Sequence, residues 1–375
     1  MKKILLIHTQ YQNTGGEDIA VDNEINLLEK EYEVRSLKIK NSFRTFFLNL
    51  IGMNNNKNKI NNLIEKYDPS IIYFHNTWFS IPSSYIRSLS KRNLDVRIKL
   101  HNFRYSCCSS YMLKNHLLSM ESCGACGIKN EKYKFYNKYF QDSYLKSFYS
   151  IIFHKKLFSL LKNANIKIYV LTNFHKKFLI NKSINEEKIT VFHNYLPEAK
   201  FHLTSENENY ILYAGRISRE KGIIELLESF YKSDVENLSL KIIGSGPLLD
   251  YVKKNYSSDK VKFYGALDNR KVLNYIKNAK AVVTATKMYE GQPNLLCESS
   301  LMGKVSIFPN AGGIKEFFPS SSNFMYEQFQ YDQLVEKIKS LEDNENLDVE
   351  GVNNKTFANE ILSIDKLIRK FEESK

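Results

Sequence analysis

The stretch Tyr210-Ile211-Leu212-Tyr213-Ala214-Gly215-Arg216 sets the pattern for the whole chain. Its apolar run has the length of a buried strand, and a glycine closes it. Lys221-Gly222 follow, and then Ile223–Phe230 carries apolar residues at helical spacing. A strand that is apolar on both faces belongs to a parallel sheet with helices on each side. The pattern repeats downstream. Leu238–Ile243, Val261–Tyr264, Ala281–Thr284 and Val305–Phe308 read as strands, with helices over Leu248–Tyr256 and Arg270–Ile276 between them. It also repeats upstream, with strands at Ile4–Ile7, Ile71–Phe74, Val96–Leu100, Ile166–Leu171 and Ile189–Phe192 and a helix over Ile19–Glu31. Between the two series lies Pro197–Asn209, polar and without periodicity, which reads as a linker. The pattern therefore predicts an α/β protein of two doubly wound, Rossmann-like domains facing a central cleft. The domains are residues 1–195 and 196–356. A last helix, roughly Phe357 to Phe371 within residues 357–375, is expected to return to the first domain. Ligands in such sheets sit at the carboxyl ends of the strands.

The 375 residues are 43% hydrophobic and 25% charged, which excludes a disordered, collagenous or disulfide-stapled chain. Lys and Arg number 54 against 41 Asp and Glu, a net charge of +13 that favours a polyanionic partner. No apolar run is long enough to cross a bilayer. The opening Met1-Lys2-Lys3-Ile4-Leu5-Leu6-Ile7-His8 is too short for a signal-peptide core and reads as a first strand. A cytoplasmic location with reduced thiols is expected.

Five turns carry the candidate chemistry. Gly15-Gly16 precede a helix that opens with Glu17 and Asp18. This is either an ordinary strand-to-helix turn or a place where backbone approaches a ligand. Gly215-Arg216 and Lys221-Gly222 put two cations at a strand end, which either suit a diphosphate, because arginine forks onto phosphate oxygens and lysine acts as a point charge, or are solvated surface cations. Gly244-Ser245-Gly246-Pro247 repeats the turn after Leu238–Ile243, in a pattern too sparse for a dinucleotide fingerprint and more often structural. Tyr289-Glu290-Gly291-Gln292-Pro293-Asn294-Leu295-Leu296-Cys297-Glu298 is the most informative segment. Pro293 suits a helix start. Glu290 then lies in the preceding loop and Glu298 more than a turn into the helix, so that either two carboxylates and the free N–H groups within residues 291–295 address one ligand, or one Glu caps and the other is solvated. Asn310-Ala311-Gly312-Gly313 closes a further glycine-rich turn.

Arg216 and Lys221, the Glu290–Glu298 pair and Gly312-Gly313 together resemble the retaining glycosyltransferases of family 4, with the GT-B fold. Tyr73-Phe74-His75-Asn76 and Lys99-Leu100-His101-Asn102-Phe103-Arg104 match that family as well. The spacing of Cys107 with Cys123-x-x-Cys126 resembles a bacterial surface-polysaccharide branch. The resemblance implies a role for each residue. Arg216 and Lys221 hold the diphosphate of a nucleotide-sugar and stabilise its leaving charge. Glu298 bonds the ribose and Glu290 the sugar. Gly291, Gln292, Asn294 and Leu295 surround sugar and phosphate, and Gly215, Gly244 and Gly246 belong to the donor turns. Gly15 and Gly16 let the first domain close on the diphosphate, and His101 binds a sugar hydroxyl near the reacting carbon. Fixed cations replace a divalent metal, and no Asp-x-Asp pair lies near these turns, so no cofactor is expected.

Three features remain. His75 and His193 also sit at strand ends, and His8 is left open. The cysteines are either buried thiols or an incomplete zinc site of Cys107 or Cys108, Cys123, Cys126 and His116. Residues 129–162 hold eight Lys among ten Tyr or Phe, against Glu131 and Asp142 alone. With the aromatic Phe43–Ile51, they suit either an anionic membrane surface or a solvated helix face. No stacking platform or helix-turn-helix supports nucleic acid. The expected protein is a retaining hexosyltransferase at the inner membrane face. It would move a sugar from a nucleotide-sugar to a lipid-linked or oligosaccharide acceptor for O-antigen or capsule. The alternative is an inactive glycan-binding or scaffold protein.

Overall fold

The computed structural model describes residues 1–10, 15–41, 48, 55–92, 94–103, 105–106, 143–197, 208–342 and 346–373. Arg104, Cys107, Cys108, His116, Cys123 and Cys126 lie outside them. So do residues 129–142, the middle of the linker and nearly all of the Phe43–Ile51 stretch.

The chain divides into two compact units, Met1–Tyr195 with Ile364–Lys375, and Leu196–Ser363. The first holds strands β1 (Lys3–Gln10), β2 (Glu33–Lys40), β3 (Ile71–Phe74), β4 (Asp95–Leu100), β5 (Lys167–Val170) and β6 (Ile189–Val191). They form one parallel sheet in the order β2-β1-β3-β4-β5-β6. Helices α1 (Gly16–Leu28), α2 (Asn56–Tyr67), α3 (Ser83–Leu89), α4 (Tyr144–Asn163) and α5 (Asn173–Asn181) connect them. Apolar residues pack on both faces, Leu5, Ile7, Ile72 and Phe74 on one and Ile4, Leu6, Ile71 and Tyr73 on the other. That is why these strands read as unbroken apolar runs. β2 is the exception: it pairs with β1 over eight residues, yet most of its side chains are exposed. It is an edge strand, and its lysines and glutamate suit an edge.

The second unit holds β7 (Tyr210–Ala214), β8 (Ser239–Ile243), β9 (Val261–Gly265), β10 (Ala281–Val283), β11 (Val305–Asn310) and β12 (Met325–Glu327). Its sheet is also parallel, in the order β12-β11-β10-β7-β8-β9. Helices α6 (Ile223–Ser233), α7 (Leu249–Tyr256), α8 (Asn269–Asn278), α9 (Asn294–Leu301), α10 (Tyr331–Lys339) and α11 (Leu347–Ile361) cover it. In each unit the strand order reverses once, between β1 and β3 and between β10 and β7. Crevices at such switch points are where doubly wound sheets bind ligands.

The final helix differs from its expected form. The pattern from Phe357 to Phe371 is two helices, α11 and α12 (Ile364–Glu372), broken at Leu362-Ser363. The cause is that the two halves serve different cores. Leu362 packs in the second unit, and Leu367 and Phe371 pack in the first. Phe371 is fully buried against Tyr32, Tyr73, Tyr169 and Phe192. Its carbonyl accepts from Arg97 Nη1 at 2.8 Å. This tie closes one face of the first sheet.

Candidate active site

In the second unit, the loop after β7 carries Arg216, which is exposed and has no side-chain partner among the described residues. The backbone of that loop is tied down. Tyr213 Oη donates to the Arg216 carbonyl at 2.8 Å, Gly215 N–H to Ile243 O at 2.9 Å and Ile217 N–H to Ser245 O at 2.9 Å. Gly244 and Gly246 make this approach possible: a Cβ at Gly244 would lie 1.8 Å from Gly215 O, and one at Gly246 2.3 Å from Ile217 O. These two glycines shape the site through the neighbouring loop.

Lys221 ends a single 3-10 turn, Arg219–Lys221. Gly222 follows in the left-handed region at φ 68°, with its α-carbon pressed on the carbonyl of Ala285. Lys221 Nζ is thereby placed against Glu290 Oε1. Thr286 Oγ1 donates to the same carboxylate oxygen at 3.1 Å. The Glu290 backbone is fixed separately, because it bridges to Gly312 and its carbonyl accepts from Gly313 N–H at 2.9 Å. Gly312 sits at φ 66°, and a Cβ there would lie 2.6 Å from Glu290 O. Glycine at 312 is a steric requirement of this contact.

α9 begins at Asn294, with Pro293 just before it. Leu296 and Cys297 donate to the Pro293 carbonyl, which leaves the Leu295 N–H without a partner among the described residues, as at any helix start. Gln292 is buried beside it. On the same helix Glu298 is half-buried, and its carboxylate has no hydrogen-bond partner among the described residues. Burial pushes that carboxyl up to about 7. Cys297 next to it is a buried thiol, pushed well above its ordinary value by burial and by Glu298, and therefore inert. The second unit thus brings Arg216, Lys221, Glu290 and the start of α9 to the loops after β7 and β10, the strands that flank its switch point.

The first unit has its own polar cluster. His8 near the end of β1 bonds Asp18 Oδ1 through Nε2 at 2.8 Å, and Asp18 Oδ2 accepts from Gly15 N–H at 2.9 Å. The Gly15-Gly16 turn is thus held by a buried carboxylate. His101 follows β4, with Nε2 2.9 Å from Nδ1 of His75, which follows β3. Both imidazoles lie well below the ordinary histidine range, first through burial and then through nearby basic groups, His101, Lys99 and His8 for His75 and Lys99, His8 and His175 for His101. Together with Glu17, Asn76, Trp78 and Asn102, they line a pocket floored by Ile98, Leu100 and Leu157. His193 instead bonds the Leu171 carbonyl at 2.7 Å and sits low, at about 4, chiefly through burial.

Sequence reasoning missed the anchor of this cluster. Glu24 and Lys99 form a fully buried ion pair, and Tyr73 Oη donates to Glu24 at 2.6 Å. The signal was there: Glu24 lies three residues after Val21 and three before Leu27, on the buried stripe of α1. A buried glutamate needs a cation, and Lys99 stands in a strand that is buried on both faces.

Residues 197–356 match the family model of glycosyl transferases group 1, so the second unit carries a domain of that class. Over a longer span the chain is similar to the capsular polysaccharide biosynthesis glycosyltransferase CapH of Staphylococcus aureus, 22% identical over 339 residues that make up 86% of each protein. Its fold matches HepE of Anabaena, solved in complex with UDP and glucose, with a TM-score of 0.67 and 14% identity over 100% of this chain and 99% of that one. It also matches the sucrose-phosphate synthase of Thermosynechococcus elongatus, with a TM-score of 0.71 and 15% identity over 100% and 98% of the two chains. The fold is GT-B: two doubly wound parallel-sheet units.

Proposed function

We propose that the protein is a retaining glycosyltransferase of family 4. It would move a hexose from a nucleotide-sugar, of the UDP class, to a lipid-linked or oligosaccharide acceptor in bacterial surface polysaccharide assembly. One observation carries the reading. Around the β7 and β10 loops the second unit holds an Arg216 and a Glu298 without side-chain partners among the described residues, the latter pushed up to about 7, and a Lys221–Glu290 pair. Arg216 and Lys221 neutralise a diphosphate as its bond to the sugar breaks. Their two charges do the work a divalent metal does elsewhere. Glu298 accepts the ribose hydroxyls, and Glu290 accepts a sugar hydroxyl while holding Lys221 in place. In the first unit, His101 and its pocket take a sugar hydroxyl.

Likeness to CapH supports a capsule-type polysaccharide, and likeness to HepE supports a uridine nucleotide. Docking at the inner membrane face is supported by the start of α4. There Tyr144, Leu145 and Phe148 are 58%, 57% and 56% exposed, on a helix that also carries Lys146, Lys155 and Lys156. No helix among the described residues is long and apolar enough to cross a membrane.

The test is a panel of nucleotide-sugars incubated with the full chain and a lipid-linked glycan acceptor, in buffer with chelator. Nuclear magnetic resonance then reads the anomeric configuration of the product. Transfer with retention, undiminished by chelator, is the expected result. Inversion, or turnover restored only by a divalent metal, would reject the mechanism. No transfer and no nucleotide binding would favour the scaffold alternative.

A further inference from the structure

A run of buried polar side chains connects α1 to His101. Glu24 Oε2 contacts Lys99 Nζ, and both side chains are fully buried. Glu24 Oε1 accepts from Tyr73 Oη at 2.6 Å and lies 3.7 Å from His75 Nε2. His75 Nδ1 lies 2.9 Å from His101 Nε2. His101 Nδ1 has no partner among the described residues, and the ring lines the pocket.

Burial raises the Glu24 carboxyl and lowers the Lys99 ammonium, and each charge offsets the effect on the other. Around the two imidazoles stand Lys99, His8 and, for His101, His175. Burial and these neighbours keep both rings neutral, so each carries one N–H and a single proton lies between them. Which nitrogen carries the proton is set by the bond the other nitrogen makes.

Two arrangements satisfy the 2.9 Å contact. In the first, His75 is protonated at Nε2, its N–H faces the Glu24 carboxylate, and Nδ1 accepts from His101 Nε2–H. In the second, His75 Nδ1–H donates to His101, and the Nε2 lone pair of His75 faces a carboxylate oxygen 3.7 Å away in a dry site. At 3.7 Å the contact is electrostatic rather than a hydrogen bond, but its sign separates the two. An N–H toward the anion is attractive, and a lone pair toward it is repulsive.

We infer that His75, backed by Glu24, is a positioning residue that holds His101 as the Nε2–H tautomer, so that His101 Nδ1 accepts a hydrogen bond from a sugar hydroxyl in the pocket. The choice of ligand rests on the glycosyltransferase reading, but the tautomer does not. An acceptor-only nitrogen also implies selectivity. A sugar lacking that hydroxyl leaves the site's polar group unpaired and loses at least about tenfold in kcat/KM.

The full chain labelled with 15N-histidine gives long-range nitrogen–proton spectra that report the tautomer of each ring. The His101 and His75 signals are assigned by their loss in His101→Gln and His75→Phe. The expected result is Nε2–H on both rings, with His101 Nδ1 bare. His101 protonated at Nδ1, or averaging between tautomers, overturns the inference. In His75→Phe, which removes no charge, His101 should populate both tautomers, and an unchanged ring there overturns the role of His75. The pair Glu24→Gln with Lys99→Met removes both buried charges together and should also release the tautomer. If that variant does not fold, the wild-type and His75→Phe spectra still decide. In turnover, His75→Phe should lower kcat roughly tenfold with KM for the nucleotide-sugar unchanged, and His75→Asn should recover most of it. Unaltered turnover in His101→Ala, with the tautomer as stated, would remove the sugar contact and leave the positioning of His101 by His75 standing.

Discussion

Replacing Glu298 by glutamine removes a charge that the second unit holds against its own stability. The carboxyl sits at about 7 against an ordinary value of 4.5, because burial disfavours the anion and no partner among the described residues compensates it. The sign follows from that direction. A carboxyl raised in the folded state favours the fold while it is protonated. That advantage falls as pH climbs from the unfolded value through about 7 and is gone above it. At about 1.4 kcal/mol for each tenfold in proton affinity, the anion costs up to about 3 kcal/mol at pH 8. Glutamine has nearly the same shape and never ionises. Glu298→Gln should therefore raise the stability of the unit Leu196–Ser363 at pH 8 and leave it nearly unchanged at pH 4. At roughly 2–4 °C per kcal/mol for a unit of this size, the gain in Tm is up to roughly 6–12 °C. On the proposed ribose role, the same variant should also lose a charge-assisted bond of about 1.5–3 kcal/mol, or tenfold to a hundredfold in UDP affinity. Melting of the full chain across pH, with calorimetric titration of UDP, reads both quantities. An unchanged or lower Tm at pH 8 would refute the burial argument. A higher Tm with undiminished UDP affinity would refute the ribose contact.

Arg216→Ala or Lys221→Ala should each lower kcat/KM by on the order of a hundredfold while the far-ultraviolet dichroism stays as in wild type, since in the proposed mechanism each removes a donor that stabilises leaving charge; wild-type turnover would discard the assignment. Phe371→Ala opens a void among Tyr32, Tyr73, Tyr169 and Phe192 and should cost about 3–5 kcal/mol in chemical denaturation; a loss below 1 kcal/mol would mean that α12 does not close the first core. Changing Tyr144, Leu145 and Phe148 together to serine should weaken co-sedimentation with anionic vesicles and leave nucleotide-sugar hydrolysis intact. Binding should also fall as salt shortens the Debye length from about 10 Å at 0.1 M to about 3 Å at 1 M, and vesicle binding blind to both charge and salt would return this face to solvent.

The parts of the fold legible in the sequence were those with local signals. Ile4–Ile7 and Ile71–Phe74 read as strands because both faces of a parallel sheet are apolar. β2 did not, because Glu33–Lys40 lies at an edge and mixes Val34, Leu37 and Ile39 with charges that face water. The break at Leu362-Ser363 was hidden because apolar spacing shows that a residue is buried, not which core buries it. Arg216, Lys221, Glu290 and Glu298 stood out for a similar reason: strand ends, glycines and Pro293 announce them within a few residues. The network behind His101 is built from distant partners. Glu24 meets Tyr73 and Lys99 across 49 and 75 positions, and only the sheet order brings β1, β3 and β4 side by side.

On the proposed function, the second unit binds a nucleoside diphosphate through Arg216 at the β7–β10 switch. The decisive experiment is calorimetric titration of UDP into the full chain, in buffer with chelator. Saturable binding is expected for the wild type, with a loss of roughly tenfold to a hundredfold in Arg216→Ala, the size of a lost charge-assisted bond of about 1.5–3 kcal/mol. Absence of binding for UDP and every other nucleoside diphosphate, or equal affinity in the variant, would contradict it.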